Sequence, residues 1–112
     1  MTAINAVTDL SMDGDIAVIT LNSPPVNALS QAVREGLEAS FKQTLADPKV
    51  KGVVLICEGK TFVAGADIRE FGKPRKPPST KDFYKLLDAS TKPVVAAIHG
   101  TALGGGFEIA MA

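Results

Sequence analysis

One short segment restricts the fold more than any other. Between Val50 and Cys57 the chain carries Val53-Val54-Leu55-Ile56 as an unbroken apolar run. A run of this length and β-branched character suits a strand covered on both faces, the kind found in parallel sheets. Parallel strands need long crossovers, usually helices. The flanking sequence therefore has to supply amphipathic helices and further strands.

It supplies both. Ser30 is placed to cap a helix running to about Ala46, in which Val33, Leu37, Phe41 and Leu45 recur four apart, with Gly36 and Ala39 filling between them. That spacing predicts one apolar stripe against a sheet, with Arg34, Glu38 and Lys42 facing outwards, and Asp47-Pro48 ends the helix. Upstream, the alternating run Ala6 to Met12, then Asp13-Gly14, then Ile16 to Leu21 predicts a hairpin, because glycine accepts the positive φ of a tight turn. Asn22-Ser23-Pro24-Pro25 breaks the second strand, since proline donates nothing to a ladder. Downstream, Gly59-Lys60-Thr61 marks a turn, Phe62 to Ile68 is small and loop-like, and Lys73 to Thr80, rich in Pro and Lys, is expected to be exposed and mobile. A second helix is predicted around Asp82 to Ala89, carrying Phe83, Leu86 and Leu87. Pro93 opens a strand from Val94 to Ile98, Gly100 to Gly106 is a glycine-rich turn, and Phe107 to Ala112 begins another helix. Helices alternating with buried strands make the fold class α/β. The final helix holds barely one turn, and that turn is apolar, so residues 1–112 are expected to be the front of a longer protein or an incomplete fold.

Composition narrows the function classes. Twelve basic and twelve acidic side chains cancel, so overall charge steers the chain towards neither nucleic acid nor an anionic membrane. Only the local cluster from Lys73 to Lys76 offers an anionic ligand a basic surface. No apolar stretch approaches the roughly 20 residues of a membrane helix, and the start at Met1 lacks the pattern of a signal peptide. The single cysteine, Cys57, can form no intrachain disulfide, which fits a reducing compartment. Its apolar setting reads as a core residue rather than a nucleophile. The expectation is an intracellular, soluble protein.

Glycine-rich loops that enter helices often cradle phosphate, and those readings fail here. A P-loop needs Gly-x-x-x-x-Gly-Lys-Ser/Thr; Gly59-Lys60-Thr61 supplies its end, but Val54 stands where the first glycine belongs. A dinucleotide fingerprint needs Gly-x-Gly-x-x-Gly; after Gly104 and Gly106 the third position is Ile109, and Glu108 would set a carboxylate against pyrophosphate. The serine-hydrolase elbow is absent. What remains is a strand, a run of glycines and a carboxylate in a first helical turn. Glycines admit a ligand close to the backbone, and free N–H groups at a helix start suit an oxyanion. Glu108 is then within reach of a carbon beside the carbonyl, or else simply favoured there by the helix dipole. Ala64-Gly65-Ala66-Asp67-Ile68 is a second small-residue turn after a strand. It either aims another N–H at the same oxygen or is an ordinary turn with Asp67 as N-cap.

Three ordered motifs carry a family resemblance across nearly the whole chain. Asn22-Ser23-Pro24-Pro25-Val26-Asn27-Ala28-Leu29, Phe62 to Ile68, and Lys92 to Gly100 continuing through Ala102-Leu103-Gly104-Gly105-Gly106-Phe107-Glu108 resemble the enoyl-CoA hydratase/isomerase (crotonase) family. The wording is most similar to the hydratase part of bifunctional β-oxidation enzymes, in which a 3-hydroxyacyl-CoA dehydrogenase follows.

The resemblance implies a spiral of repeated β-β-α units, usually assembled as a homo-oligomeric trimer, with residues 1–112 as the N-terminal part of the domain. It implies an oxyanion hole from the N–H groups of Ala66 and Gly105 for a thioester carbonyl, with Glu108 as the first of two catalytic glutamates. The second lies about twenty residues further on in the family, past Ala112. The loop with Ala64, Asp67 and Ile68 resembles the part that meets the adenine end of CoA, chiefly through backbone, and Gly65 within it belongs to the substrate-binding set. Val26, Asn27 and Ala28 resemble the loop along the pantetheine, and Gly104 joins the substrate-binding set. The implied activity is hydration of 2-enoyl-CoA, with isomerisation as a related activity. The partner is an acyl-CoA, no cofactor is needed in this part, and NAD enters only if a dehydrogenase half follows. The implied compartment is the cytoplasm of a bacterium or an organelle such as the peroxisome of a eukaryote. A non-catalytic acyl-CoA binding or assembly module and an inactive fragment are the alternatives. His99, at a strand end before Gly100, reads as structural rather than as a base.

Overall fold

The computed structural model describes residues 2–24, 27–59, 61–63, 65, 80–98 and 100–102. Its elements are β1 (Thr2–Asn5), β2 (Thr8–Asp13), β3 (Ile16–Leu21), α1 (Gln31–Ala46), β4 (Gly52–Cys57), β5 (Thr61–Val63), α2 (Thr80–Asp88), β6 (Val94–Ala96) and β7 (Thr101–Ala102). Five strands form one sheet in the order β1-β2-β3-β4-β6, and β5 pairs with β7 in a second.

The predicted hairpin is present, with its turn one residue later than the sequence suggests. Asp13 pairs with Ile16, so Gly14 and Asp15 form the loop. Gly14 takes the positive φ of 62° that a tight turn reserves for glycine at its first central position. The hairpin gains a third, unanticipated strand: β1 pairs antiparallel to β2 through an irregular register. From β3 onwards the sheet is parallel, with Ile16 to Leu21 of β3 level with Gly52 to Cys57 of β4, and Val53 to Leu55 level with Val94 to Ala96 of β6.

Helix α1 starts and stops where its caps dictate. The Ser30 Oγ accepts from the Val33 N–H at 3.3 Å, and the Asp47 N–H donates to the Thr44 carbonyl. The last turn contains no basic residue. Lys92 supplies that charge from a distant part of the chain, its Nζ donating to the Thr44 and Asp47 carbonyls at 2.8 and 2.5 Å. Val33, Leu37 and Phe41 are buried as the stripe predicts, whereas Leu45 is only half-buried.

Two positions on α1 depart from the expected pattern. Ala39 is exposed and Arg34 is buried. At about 100° per residue, Arg34 stands at the edge of the arc that contains Val33 and Leu37, while Ala39 falls on the opposite side. Charge alone would place Arg34 in solvent, but its position on the helix sends it inwards.

The core lies between α1 and one face of the large sheet, built from Leu10, Ala17, Ile19, Leu21, Val53, Leu55 and Cys57 against Val33, Leu37 and Phe41. Gly36 lets the helix come down on β2, because a Cβ there would collide with the Thr8 side chain. Phe83 of α2 meets Phe41 edge-on, with ring centroids 5.1 Å apart at 72°, the geometry the ring quadrupoles favour. The opposite face of β4 is not covered to the same degree: Val54 and Ile56 are half-buried, against the expectation of a strand enclosed on both sides.

Two further differences concern short segments. Residues 61–63 and 101–102, read from sequence as parts of loops, form β5 and β7 and pair in parallel. The predicted strand from Val94 to Ile98 ends at Ala96, although the Ala97 N–H still donates to the Leu55 carbonyl. Helix α2 begins two residues before its predicted start and ends one residue before its predicted end. The stretches from Lys73 to Ser79 and from Phe107 to Ala112 lie outside the described residues, as does His99.

Candidate active site

In sheets of parallel strands, ligands bind beyond the carboxyl ends of the strands, where the connecting loops gather. Here β3, β4 and β6 run in one direction, so the loops after Leu21 and Cys57 leave from the same edge. Asn27 joins them. Its Oδ1 accepts from the Ser23 N–H at 2.8 Å, and its Nδ2 donates to the Glu58 carbonyl at 2.9 Å. The Asn27 N–H closes the turn onto the Ser23 carbonyl, also at 2.8 Å. This residue is 2% exposed and has a φ of +52°, a region that asparagine tolerates better than most residues. The Asn27 side chain is a brace between two loops, both of its ends hydrogen-bonded to backbone.

Residues 28–30 carry the brace onward. The Leu29 N–H donates to the Gly65 carbonyl at 2.7 Å, tying the loop after β3 to the segment that follows β5. The Ser30 N–H donates to the Ala28 carbonyl as Ser30 caps α1. Arg34, one turn into the helix, reaches back with Nη1 to the Leu29 carbonyl at 2.6 Å. Gly65 is buried and has a φ of +118°, a conformation that a residue with a Cβ adopts only under strain.

The short β5–β7 pair is the feature sequence reading missed. Thr61 stands level with Thr101 and Val63 with Ala102, in parallel. The chain therefore leaves both strands at the same end: one continues into Ala64-Gly65-Ala66, the other into Leu103-Gly104-Gly105. A strand of two or three residues carries too little alternation to be told from a turn, so no pattern could have shown it. Of the residues expected in the site, Asn27, Ala28 and Gly65 are described and are brought together through Leu29. Val26, Ala64, Ala66, Asp67, Ile68, Gly104, Gly105 and Glu108 lie outside the described residues.

Cys57 closes β4 beside this edge. Burial pushes its thiol up to about 12 from an ordinary 9.0, so it remains protonated and poorly nucleophilic at neutral pH. No group of three or more His, Cys, Asp or Glu side chains able to hold a metal occurs among the described residues. No helix among them is long and apolar enough to cross a membrane.

Comparison with known proteins gives one consistent answer. The family model described as enoyl-CoA hydratase/isomerase matches residues 11–112. A peroxisomal bifunctional enzyme of Danio rerio is 51% identical over 86% of this chain, which spans 13% of that protein. A probable enoyl-CoA hydratase of Bacillus subtilis is 38% identical over 97% of this chain, which spans 45% of it. Among solved structures, the enoyl-CoA hydratase of Bacillus anthracis superposes with a TM-score of 0.80 at 27% identity, covering 93% of this chain and 44% of the other. The chain thus spans less than half the length of each of these relatives.

Proposed function

Given that the chain belongs to the enoyl-CoA hydratase/isomerase family, we propose that it forms the N-terminal part of a domain that adds water across the double bond of a 2-enoyl-CoA. The observation that carries this reading is the parallel pairing of β5 with β7. The two segments that follow these strands contain Ala66 and Gly105, so a common exit supports the convergence of their N–H groups on one thioester oxygen. As the enolate forms, that oxygen becomes negative, and each donor aimed at it lowers the barrier by roughly 3 kcal/mol.

In this proposal Glu108 works on the proton side. It forms one of two glutamates that hold the water, one of them taking a proton as oxygen attacks C3 while the other delivers a proton to C2. The second glutamate belongs about twenty residues beyond the first. Isomerisation would use the same enolate with a glutamate moving the proton between carbons. The loop with Ala64, Gly65, Asp67 and Ile68 would meet the adenine end of CoA, Gly104 would line the acyl thioester, and the main chain at Asn27 and Ala28 would run along the pantetheine. Hydration would need no cofactor in this part, and NAD would enter only with a following dehydrogenase portion. The Danio relative's name supports a peroxisomal site if the source is eukaryotic, and a relative in Arabidopsis thaliana named as a peroxisomal fatty acid beta-oxidation multifunctional protein supports a role in β-oxidation. A trimer is the assembly to test first.

The decisive experiment uses the full-length protein that contains this chain and crotonyl-CoA as substrate. Glu108→Gln is expected to lower turnover by about 10²–10⁴-fold, the range for loss of a general acid–base, with substrate binding retained. Unchanged turnover in that variant would overturn the assignment. A wild-type protein that binds crotonyl-CoA yet never hydrates it would instead establish a binding module.

A further inference from the structure

We infer that Arg34 is a positioning residue for the oxyanion donor at Ala66, acting through Leu29 and the peptide that links Gly65 to Ala66. The inference deepens the proposed function and rests on its reading of Ala66. It starts from a side chain that the pattern of α1 does not require. Arg34 is 5% exposed, among Leu29, Val33 and Leu37 at 3%, 0% and 1%. A leucine at this place would extend the apolar face without taking a guanidinium out of water, which costs several kcal/mol before its hydrogen bonds offset it. Among the contacts of the guanidinium one is specific to this loop: Nη1 donates to the Leu29 carbonyl at 2.6 Å, a charge-assisted bond and so one of the stronger kinds.

Leu29 is thereby held at its carbonyl, and its own N–H donates to the Gly65 carbonyl at 2.7 Å. The Gly65 carbonyl and the Ala66 N–H are the two ends of one peptide group. That group is planar, and in the trans form its C=O and N–H point in opposite directions. A donor fixed on the carbonyl end therefore sets the direction of the N–H end. It also polarises the group, since hydrogen bonds in a chain strengthen one another, and the Ala66 N–H becomes the better donor. Gly65, with φ at +118°, is the residue that lets the backbone turn this peptide into place. Arg34, Leu29 and Gly65 thus form a hydrogen-bonded lead-in from the first turn of α1 to the peptide that carries the proposed donor.

The test uses the full-length protein, crotonyl-CoA and two readouts: steady-state kinetics, and the carbonyl stretch of a bound enoyl-CoA by difference infrared spectroscopy. Arg34→Met is expected to lower kcat about tenfold, the scale of a small misplacement in a catalytic array, with KM changed less than about twofold. The bound carbonyl stretch is expected to move back towards its value in solution, and Arg34→Lys should recover part of both effects. A folded Arg34→Met variant with wild-type kcat and stretch would overturn the inference. Should Arg34→Met not fold, Arg34→Gln, which keeps a donor but not the charge, is expected to shift both readouts in the same direction, and wild-type values there would overturn it equally. Ala66→Pro separates the two levels. If removing that N–H leaves the stretch unchanged, the assignment of Ala66 itself falls. If it abolishes the shift while Arg34→Met does not, Ala66 stands and only the role of Arg34 falls.

Discussion

The two sheets of this molecule divide its work unequally. The large sheet has strands of up to six residues, a helix laid along one face, and a core in which Ile19, Leu21, Val33 and Phe41 are fully buried. The β5–β7 pair has strands of three and two residues, and it leads into the two glycine-bearing segments. Area buried from water scales with apolar side chains, so stability resides mainly in the first sheet. The second adds Phe62 and Val63 to the same core, both fully buried, and its distinct contribution is the direction it gives the segments that leave it. It is tied to the loop after β3 by the bond from Leu29 to Gly65, while Asn27 clasps that loop to the one after β4.

That division can be broken at three points. Phe41→Ala removes a ring that is fully buried and stacked edge-on against Phe83. It should cost about 3–5 kcal/mol in chemical denaturation of the full-length protein, while each folded molecule turns over crotonyl-CoA at the wild-type rate. A matching fall in specific activity would mean the two sheets are not separable. Asn27→Ala instead attacks the brace between the loops after β3 and β4. It strands the Glu58 carbonyl and places alanine at a positive φ, so a loss of about 1–3 kcal/mol is expected, accompanied by a rise in KM. A stability loss with unaltered kinetics would restrict the brace to the fold.

Cys57 gives the smallest effect. A thiol reagent at pH 8 should leave it untouched in the native protein and label it only on unfolding. Because its folded pKa of about 12 lies above the ordinary 9.0, its contribution to stability is complete below pH 9 and declines as pH rises towards 12. Rapid labelling of the native protein at pH 8 would place the end of β4 in solvent rather than in the core.

The same contrast governs how much is legible in the sequence. The hairpin, α1 with its Ser30 cap, β4 and α2 each carry a pattern long enough to repeat, and each is present within one or two residues. The exceptions have physical causes. β1 has four residues and no apolar alternation, and β5 and β7 are shorter than the period that would betray them. Arg34 escapes a reading by residue type because its charge and its angular position on α1 point in opposite directions, and position wins. The glycine-rich turn with Glu108 and the turn from Ala64 to Ile68 stand out by pattern, but the roles expected of their residues come only from motif resemblance. The hydrogen bonds from Asn27 to Ser23 and Glu58, and from Leu29 to Gly65, depend on tertiary contact and leave no trace in spacing.

The brace at Asn27 also sets an order of events for a chain growing from the ribosome. When Asn27 first emerges it has its near partner, Ser23, but the carbonyl that holds the far end of its side chain belongs to Glu58, 31 residues later. The partner of Leu29 arrives later still, at Gly65. The front of the site therefore stays unfastened through the synthesis of α1 and β4. The loop after β3 is buckled only once the strand that will neighbour it has been made, so the crossover helix is synthesised in full before the binding edge can take shape.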